Sequence, residues 1–222
     1  MARKQSKPAH FTISGCLIAD SHPGSVAAEQ YRMIRNNIRY ASNGRKLKSL
    51  AVTSPSEGEG KSTAAVNLAV SMAQRGDRVL LVDANVKNPI LHYIFKSDAA
   101  PGLTDILMGQ SGREEAAIQT EIDGLSVLTC GSLVYDASEL LDSISMNALL
   151  EEAEKDYDLI VMDCPSVLGT ADANALAGKC DGVVLVIKCG KTNQIRAIEA
   201  KKALEFCKTN LVGAILNQAV SG

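Results

Sequence analysis

The chain has 222 residues, 46% of them hydrophobic and 22% charged, and a formal net charge of −2. That length and balance suit one compact domain, or at most two small ones, and argue against non-specific nucleic-acid binding as the main role. Six cysteines (16, 130, 164, 180, 189 and 207) form no CxxC pair, and with only three histidines no zinc-ligand spacing emerges. Reduced, mostly buried thiols in a cytosolic protein are expected.

Residues 1–25 begin basic but continue without the apolar core of a signal peptide, and they read as an arm with little structure of its own. Residues 26–42 carry Ala27, Ile34 and Ile38 at helical spacing among charges, and "NGRK" (43–46) is a turn. A strand over 49–54 is followed by an Ala-rich helix over 61–76 that Gly76 closes. Further strands are expected at 78–83, 125–131, 157–165, 182–188 and 211–216. Helices are expected at 102–109, 138–156, 170–179 and 192–208. The longest apolar run, "GVVLVI" (182–187), is too short to span a bilayer, so no direct membrane insertion is expected. Near-continuous apolar strands alternating with helices predict an α/β fold, a mainly parallel sheet covered by helices on both faces. Ligands in such folds bind beyond the carboxyl ends of the strands.

The strand at 49–54 runs into "SPSEGEGKST" (54–63). Gly60-Lys61-Ser62 meet the G-K-[ST] end of the Walker A pattern, while Pro55 stands where the first Gly belongs. Gly58 and Gly60 let several N–H groups face one point, and the helix N-terminus adds positive potential for phosphate. Across Glu57, Gly58, Glu59, Gly60, Lys61, Ser62 and Thr63 the run predicts a nucleotide cradle in a P-loop NTPase-like three-layer sandwich. Lys61 would reach the β/γ-phosphates and Ser62 would ligate Mg²⁺. Asp163 ends the buried strand "LIVMD", a costly place for a carboxylate unless it is paired or binds metal. It takes the Walker B role. Asp83 ends the strand at 78–83 and is free to accept a proton or orient a nucleophile.

In this order "SPSEGEGKST", "LLVDANVKNP" and "LIVMDCP" resemble the Walker A, A′ and B motifs of the bacterial tyrosine kinases (BY-kinases). "EQYRMIR" is similar to that family's E-x-x-R-x-x-R segment through Glu29, Arg32 and Arg35. "PGLTDILMG" (101–109) is similar to its P-G-L-x-D-x-L-x-G segment. The resemblance covers roughly residues 25–217. It implies a single kinase domain over 26–222 that binds ATP and Mg²⁺ and regulates capsular or exopolysaccharide synthesis. It also implies assembly into a ring through Glu29, Arg32 and Arg35, with a membrane chain-length or activator protein recruiting the chain to the inner face of the membrane. Asn217, after the last strand, matches the family's adenine-contacting Asn. Partition and division ATPases carry a signature Lys where Ser56 stands here, which favours the kinases.

Two features depart from the family. Its Walker A′ pattern is D-x-D-x-R, against Asp83-Ala84-Asn85-Val86-Lys87 here. Asn85 is expected as a weakened, uncharged metal contact, and Lys87 as a catalytic cation without the planar fork of Arg. The family's tail tyrosines are also missing, since none of the five tyrosines follows Tyr157. A chain that continues further, a substrate on another protein, and a faded kinase activity all fit. Beside the kinase stand two alternatives, a nucleotide-binding assembly module of a polysaccharide-export complex and a partition-type ATPase.

Overall fold

A computed structural model describes residues 16–41, 46–134 and 137–218. The expected turn at 43–46 falls almost wholly outside them. Seven strands form one sheet in the order β3-β4-β2-β5-β1-β6-β7. These are β1 (Ser49–Thr53), β2 (Val79–Asp83), β3 (Ala117–Gln119), β4 (Leu125–Leu128), β5 (Leu159–Asp163), β6 (Gly182–Lys188) and β7 (Leu211–Asn217). All neighbours are parallel except β3, a short edge strand antiparallel to β4.

Two apolar clusters sandwich this sheet, which is why its central strands are buried at every position and apolar through their middles. Along β5, Leu159 and Val161 face one cluster, while Ile160 and Met162 face the other. The first cluster includes residues of α1 (Ile18–Ser21), α2 (Val26–Ala41), α3 (Lys61–Ala73) and α4 (Leu91–Ile94). The second takes in α5 (Leu103–Leu107), α6 (Arg113–Ala116), α7 (Ala137–Asp142), α8 (Ile144–Asp156), α9 (Ala171–Lys179) and α10 (Gln194–Phe206).

Two sequence expectations change in detail. The helix expected over 138–156 is two helices, because the Ser143 hydroxyl accepts from Met146 N–H (3.3 Å) and caps α8 while donating to the Leu140 carbonyl (2.7 Å). The arm expected over 1–25 contains α1. Fully buried Asn67 of α3 holds it, donating to Cys16 O (2.7 Å) and accepting from Ala19 N (2.8 Å). All six thiols are free, with four buried, Cys207 partly buried and Cys189 exposed. Burial is the main cause that pushes the Cys130 and Cys180 thiols up to about 12, which makes them poor nucleophiles.

Candidate functional site

Parallel pairing brings the C-terminal ends of β2, β5, β1, β6 and β7 to one edge of the sheet. Asp83, Asp163, the 54–60 loop, Lys188 and Asn217 therefore lie there in spatial order. Carboxylates occupy one flank of the loop and the Asn217 amide the other.

Gly60 caps α3 in the left-handed region (φ +91°), and Gly58 has φ +72°. A Cβ on Gly60 would collide with the Asn217 amide nitrogen, so this position needs glycine for space as well as for φ. That nitrogen donates to Glu59 O (2.9 Å), which places Asn217 directly over the cradle. Glu59 itself turns inward at 1% exposure. Its carboxylate accepts from Ser56 N (3.0 Å), Lys188 N (3.3 Å) and the Thr192 hydroxyl (2.5 Å). The Glu59 side chain thus braces the loop against the end of β6, and only its backbone is available to a ligand. Lys191, from the loop after β6, donates to Glu57 O (2.7 Å). Sequence reading missed Lys188, Lys191 and Thr192 because they lie about 130 residues downstream of the loop they brace.

Asp83 and Asp163 are direct register partners on β2 and β5, and both are fully buried. Their surroundings differ. Asp83 Oδ2 accepts from Ile90 N (2.8 Å) and Leu91 N (2.9 Å), and Oδ1 from Asn85 N (3.3 Å). Both oxygens of Asp163 lack a hydrogen-bond partner. Burial raises the Asp163 pKa, against the pull of the Lys61 ammonium and the Ser62 hydroxyl. Ser62 is thus near enough to favour the charged form without the alignment of a hydrogen bond. Burial, and then the neighbouring Asp163 charge, raise the Asp83 pKa against its three N–H donors. Lys61 is 8% exposed, and its Nζ lies 3.4 Å from the Ser62 hydroxyl. A fully buried carboxylate with no donor, beside a Lys and a Ser at a helix N-terminus, fits a hard cation such as Mg²⁺. No three His, Cys, Asp or Glu side chains form a cage among the described residues.

Asn85 is 5% exposed, and its amide nitrogen donates to Asn88 O (3.0 Å). Only its carbonyl oxygen is left for a metal or a bridging water. Lys87 is exposed and makes no hydrogen bond or ion pair among the described residues, so nothing there aims it at the cradle.

The helix α2 residues expected at an assembly interface are engaged within the chain. Arg32 pairs with Glu29 (2.7 Å) and donates to Pro23 O (2.7 Å), and Arg35 donates to Ser71 O of α3 (2.6 Å). In the "PGLTDILMG" segment, Asp105 Oδ2 accepts from Gly102 N (2.8 Å) and Ser132 N (3.1 Å). Burial works against ionisation of Asp105, but the donors around it, the Ser132 hydroxyl first, hold its pKa below the usual carboxylate range. The segment is therefore a clasp between α5 and the end of β4.

A family model described as an AAA domain matches residues 47–205. Tyrosine-protein kinase YwqD of Bacillus subtilis (strain 168) is 45% identical over 90% of this chain and 85% of its own length. The chain belongs to the bacterial tyrosine-protein kinase family. The putative tyrosine-protein kinase CapB of Staphylococcus aureus is 33% identical over 98% of this chain and 93% of its own. Among solved structures, the chimerical protein CapA2B2 superposes with a TM-score of 0.89 at 33% identity, covering 93% of this chain and 91% of that one. The kinase domain of Escherichia coli ETK gives 0.89 at 26% identity, covering 100% and 84%. The cell-division ATPase MinD of Pyrococcus furiosus gives 0.66 at 24% identity, covering 76% and 71%, and shares the fold alone. The chain is a protein-tyrosine kinase on a P-loop fold, and neither the partition-ATPase nor the non-enzymatic alternative is retained. A P-loop fold of this kind implies nucleotide binding.

Proposed function

We propose that this kinase binds Mg-ATP at the described edge and transfers the γ-phosphoryl group to a tyrosine hydroxyl of another protein or another copy. The observation that carries the reading is Asp163, a buried carboxylate with two unpartnered oxygens next to a glycine-built phosphate cradle. Ser62 and Asp163 are the residues that would hold Mg²⁺, which when bound neutralises phosphate charge. Backbone N–H groups of 58–63 and the Lys61 ammonium hold the β- and γ-phosphates. The side-chain Oδ1 of Asn217, whose Nδ2 is held by Glu59 O, remains free to meet the adenine amino group.

In the transfer, the phenolic oxygen forms a bond to the γ-phosphorus, the bond to the β-bridging oxygen breaks, and ADP leaves. The phenolic proton passes to Asp83. Its Oδ1, which accepts only the long Asn85 N–H bond, has the hydrogen-bonding capacity to take it. A raised pKa suits that role, because a carboxylate near the working pH can take and release a proton. Most of the rate comes from positioning and charge stabilisation.

By analogy with its relatives, the kinase serves capsular or exopolysaccharide synthesis under a membrane activator that recruits it to the inner membrane face. No helix among the described residues is long and apolar enough to cross a membrane, which fits recruitment by such a partner. Self-assembly through Glu29, Arg32 and Arg35 would require the pairs seen within the chain to exchange partners.

The test is phosphotyrosine formation by the purified chain with Mg-ATP, the activator's cytoplasmic segment and a Tyr-rich acceptor. Lys61→Met and Asp83→Asn should each abolish it. Full activity in either variant would remove that residue from the mechanism.

A further inference from the structure

Asn85 stands where the family pattern has a second carboxylate, and its amide is turned toward the loop rather than left free. Its Nδ2 donates to Asn88 O (3.0 Å), and the Asn88 backbone N–H donates to Asn85 O (3.0 Å), closing a tight turn. That turn presents the Asn88 side chain to the P-loop, where Nδ2 donates to Glu57 Oε1 (3.1 Å). An aspartate at 85 could not donate to Asn88 O. So the uncharged residue at 85 and the acidic residue at 57 belong to one hydrogen-bonded chain, Asn85 to Asn88 to Glu57. That chain runs from the end of β2 to the loop after β1, the two loops that flank β5 and Asp163.

Glu57 is fixed at its backbone as well. Its carbonyl accepts from Lys191, which also fills the space beside Gly58 that a side chain would need. An exposed Glu is ordinarily free to rotate into solvent; here both its main chain and its carboxylate are tethered at the rim of the site. Asp163, the buried carboxylate at the end of the strand between them, accepts no hydrogen bond, so the site offers anionic oxygen both on β5 and on the P-loop.

We propose that Glu57 supplies from the P-loop the outer carboxylate that position 85 lacks, held by Asn85 and Asn88 to accept hydrogen bonds from water on a divalent cation in the nucleotide complex. This rests on the Mg-nucleotide reading above. Glu57 is a positioning residue, acting on the cation through water, and the negative charge of the family's D-x-D pattern is moved to another loop.

The test uses the full chain and Mn²⁺ with ADP, titrated by electron paramagnetic resonance, with melting temperatures measured alongside. Loss of one outer partner in a metal site costs 10-fold or more when buried, so Glu57→Gln at this exposed rim should weaken Mn²⁺ in the ADP complex by about 5–10-fold. Its melting temperature without ligand should stay unchanged. Asn88→Ala should weaken Mn²⁺ binding less, by about threefold, because the carboxylate is present but untethered. Moving the charge back, in Glu57→Gln with Asn85→Asp, should restore affinity to within about twofold of wild type.

Unchanged Mn²⁺ binding in Glu57→Gln would show a plain surface glutamate and overturn the proposal. Tighter binding would do the same, marking the Glu57–Asn88 contact as a closed gate. A double variant no better than Glu57→Gln would show that the two positions do not share a function. If wild type itself shows no nucleotide-dependent Mn²⁺ signal, the Mg-nucleotide reading fails instead.

Discussion

The ends of β2 and β5 carry the same residue at the same register, one strand apart and equally buried, yet their aspartates have opposite surroundings. Asp83 is filled by N–H groups from its own downstream loop and so organises the turn into α4. Asp163 is followed by Cys164 and Pro165, and its oxygens receive no donor. Burying an ion without partners is among the costliest arrangements a fold can keep. The difference teaches that the chain satisfies one carboxylate with its own N–H groups and gives the other, at the same register, no hydrogen-bond donor.

Removing the supported member should break the comparison most visibly. Asp83→Ala orphans the Ile90, Leu91 and Asn85 N–H groups, with relief of repulsion toward Asp163 offsetting part of the loss. It should destabilise the protein by about 1–3 kcal/mol, or about 2–4 °C in Tm for each kcal/mol, measured by thermal denaturation without ligand. Glu59→Gln separates bracing from binding. It should cost about 1–2 kcal/mol through weakened contacts with Lys188, Thr192 and Ser56, and it should blur the cradle without removing any ligand group.

The pH dependence sharpens the comparison further. Both aspartates have folded pKa values raised above their unfolded ones. Their contribution to stability is therefore fully present below the unfolded value, about 3.9, and is lost as pH rises through the folded values. Ligand-free stability should fall across that window in chemical denaturation, and a saturating Mg-nucleotide should flatten the fall. A ligand-free curve that rises there instead would contradict the unpartnered Asp163. The smallest effect belongs to Asn85→Asp alone. It exchanges the Asn88 contact for a charge and should change stability by about 1 kcal/mol or less.

Much of this edge was legible because long apolar strands ending in a charged or glycine-rich residue are easy to read. Asp83, Asp163 and the 58–63 run stood out, and so did the alternation that implies a parallel sheet. The β3 strand did not, since "AIQ" is three partly exposed residues whose place depends on pairing with β4. The break at Ser143 was hidden inside an amphipathic run, where a capping serine looks like any polar position. The inward turn of Glu59 and the outward reach of Lys87 were not legible either. A carboxylate in a glycine-rich loop gives no sign in sequence that the end of β6 and the loop after it supply its donors, and the D-x-N-x-K spacing gives no sign that Lys87 stands exposed. Asn85 was read as a weakened ligand, and its hydrogen bond to Asn88 O depends on a turn that the sequence does not encode by pattern.

The most direct measurement is the thermal denaturation of Asp163→Asn beside wild type, each with and without Mg-ADP. Removing an unpartnered buried charge should make the ligand-free variant more stable by about 1–2 kcal/mol. The Mg²⁺-dependent part of the nucleotide-induced Tm shift should disappear. A variant less stable than wild type that keeps the full Mg²⁺-dependent shift would contradict the claim that Asp163 is left unpaired in order to hold the cation.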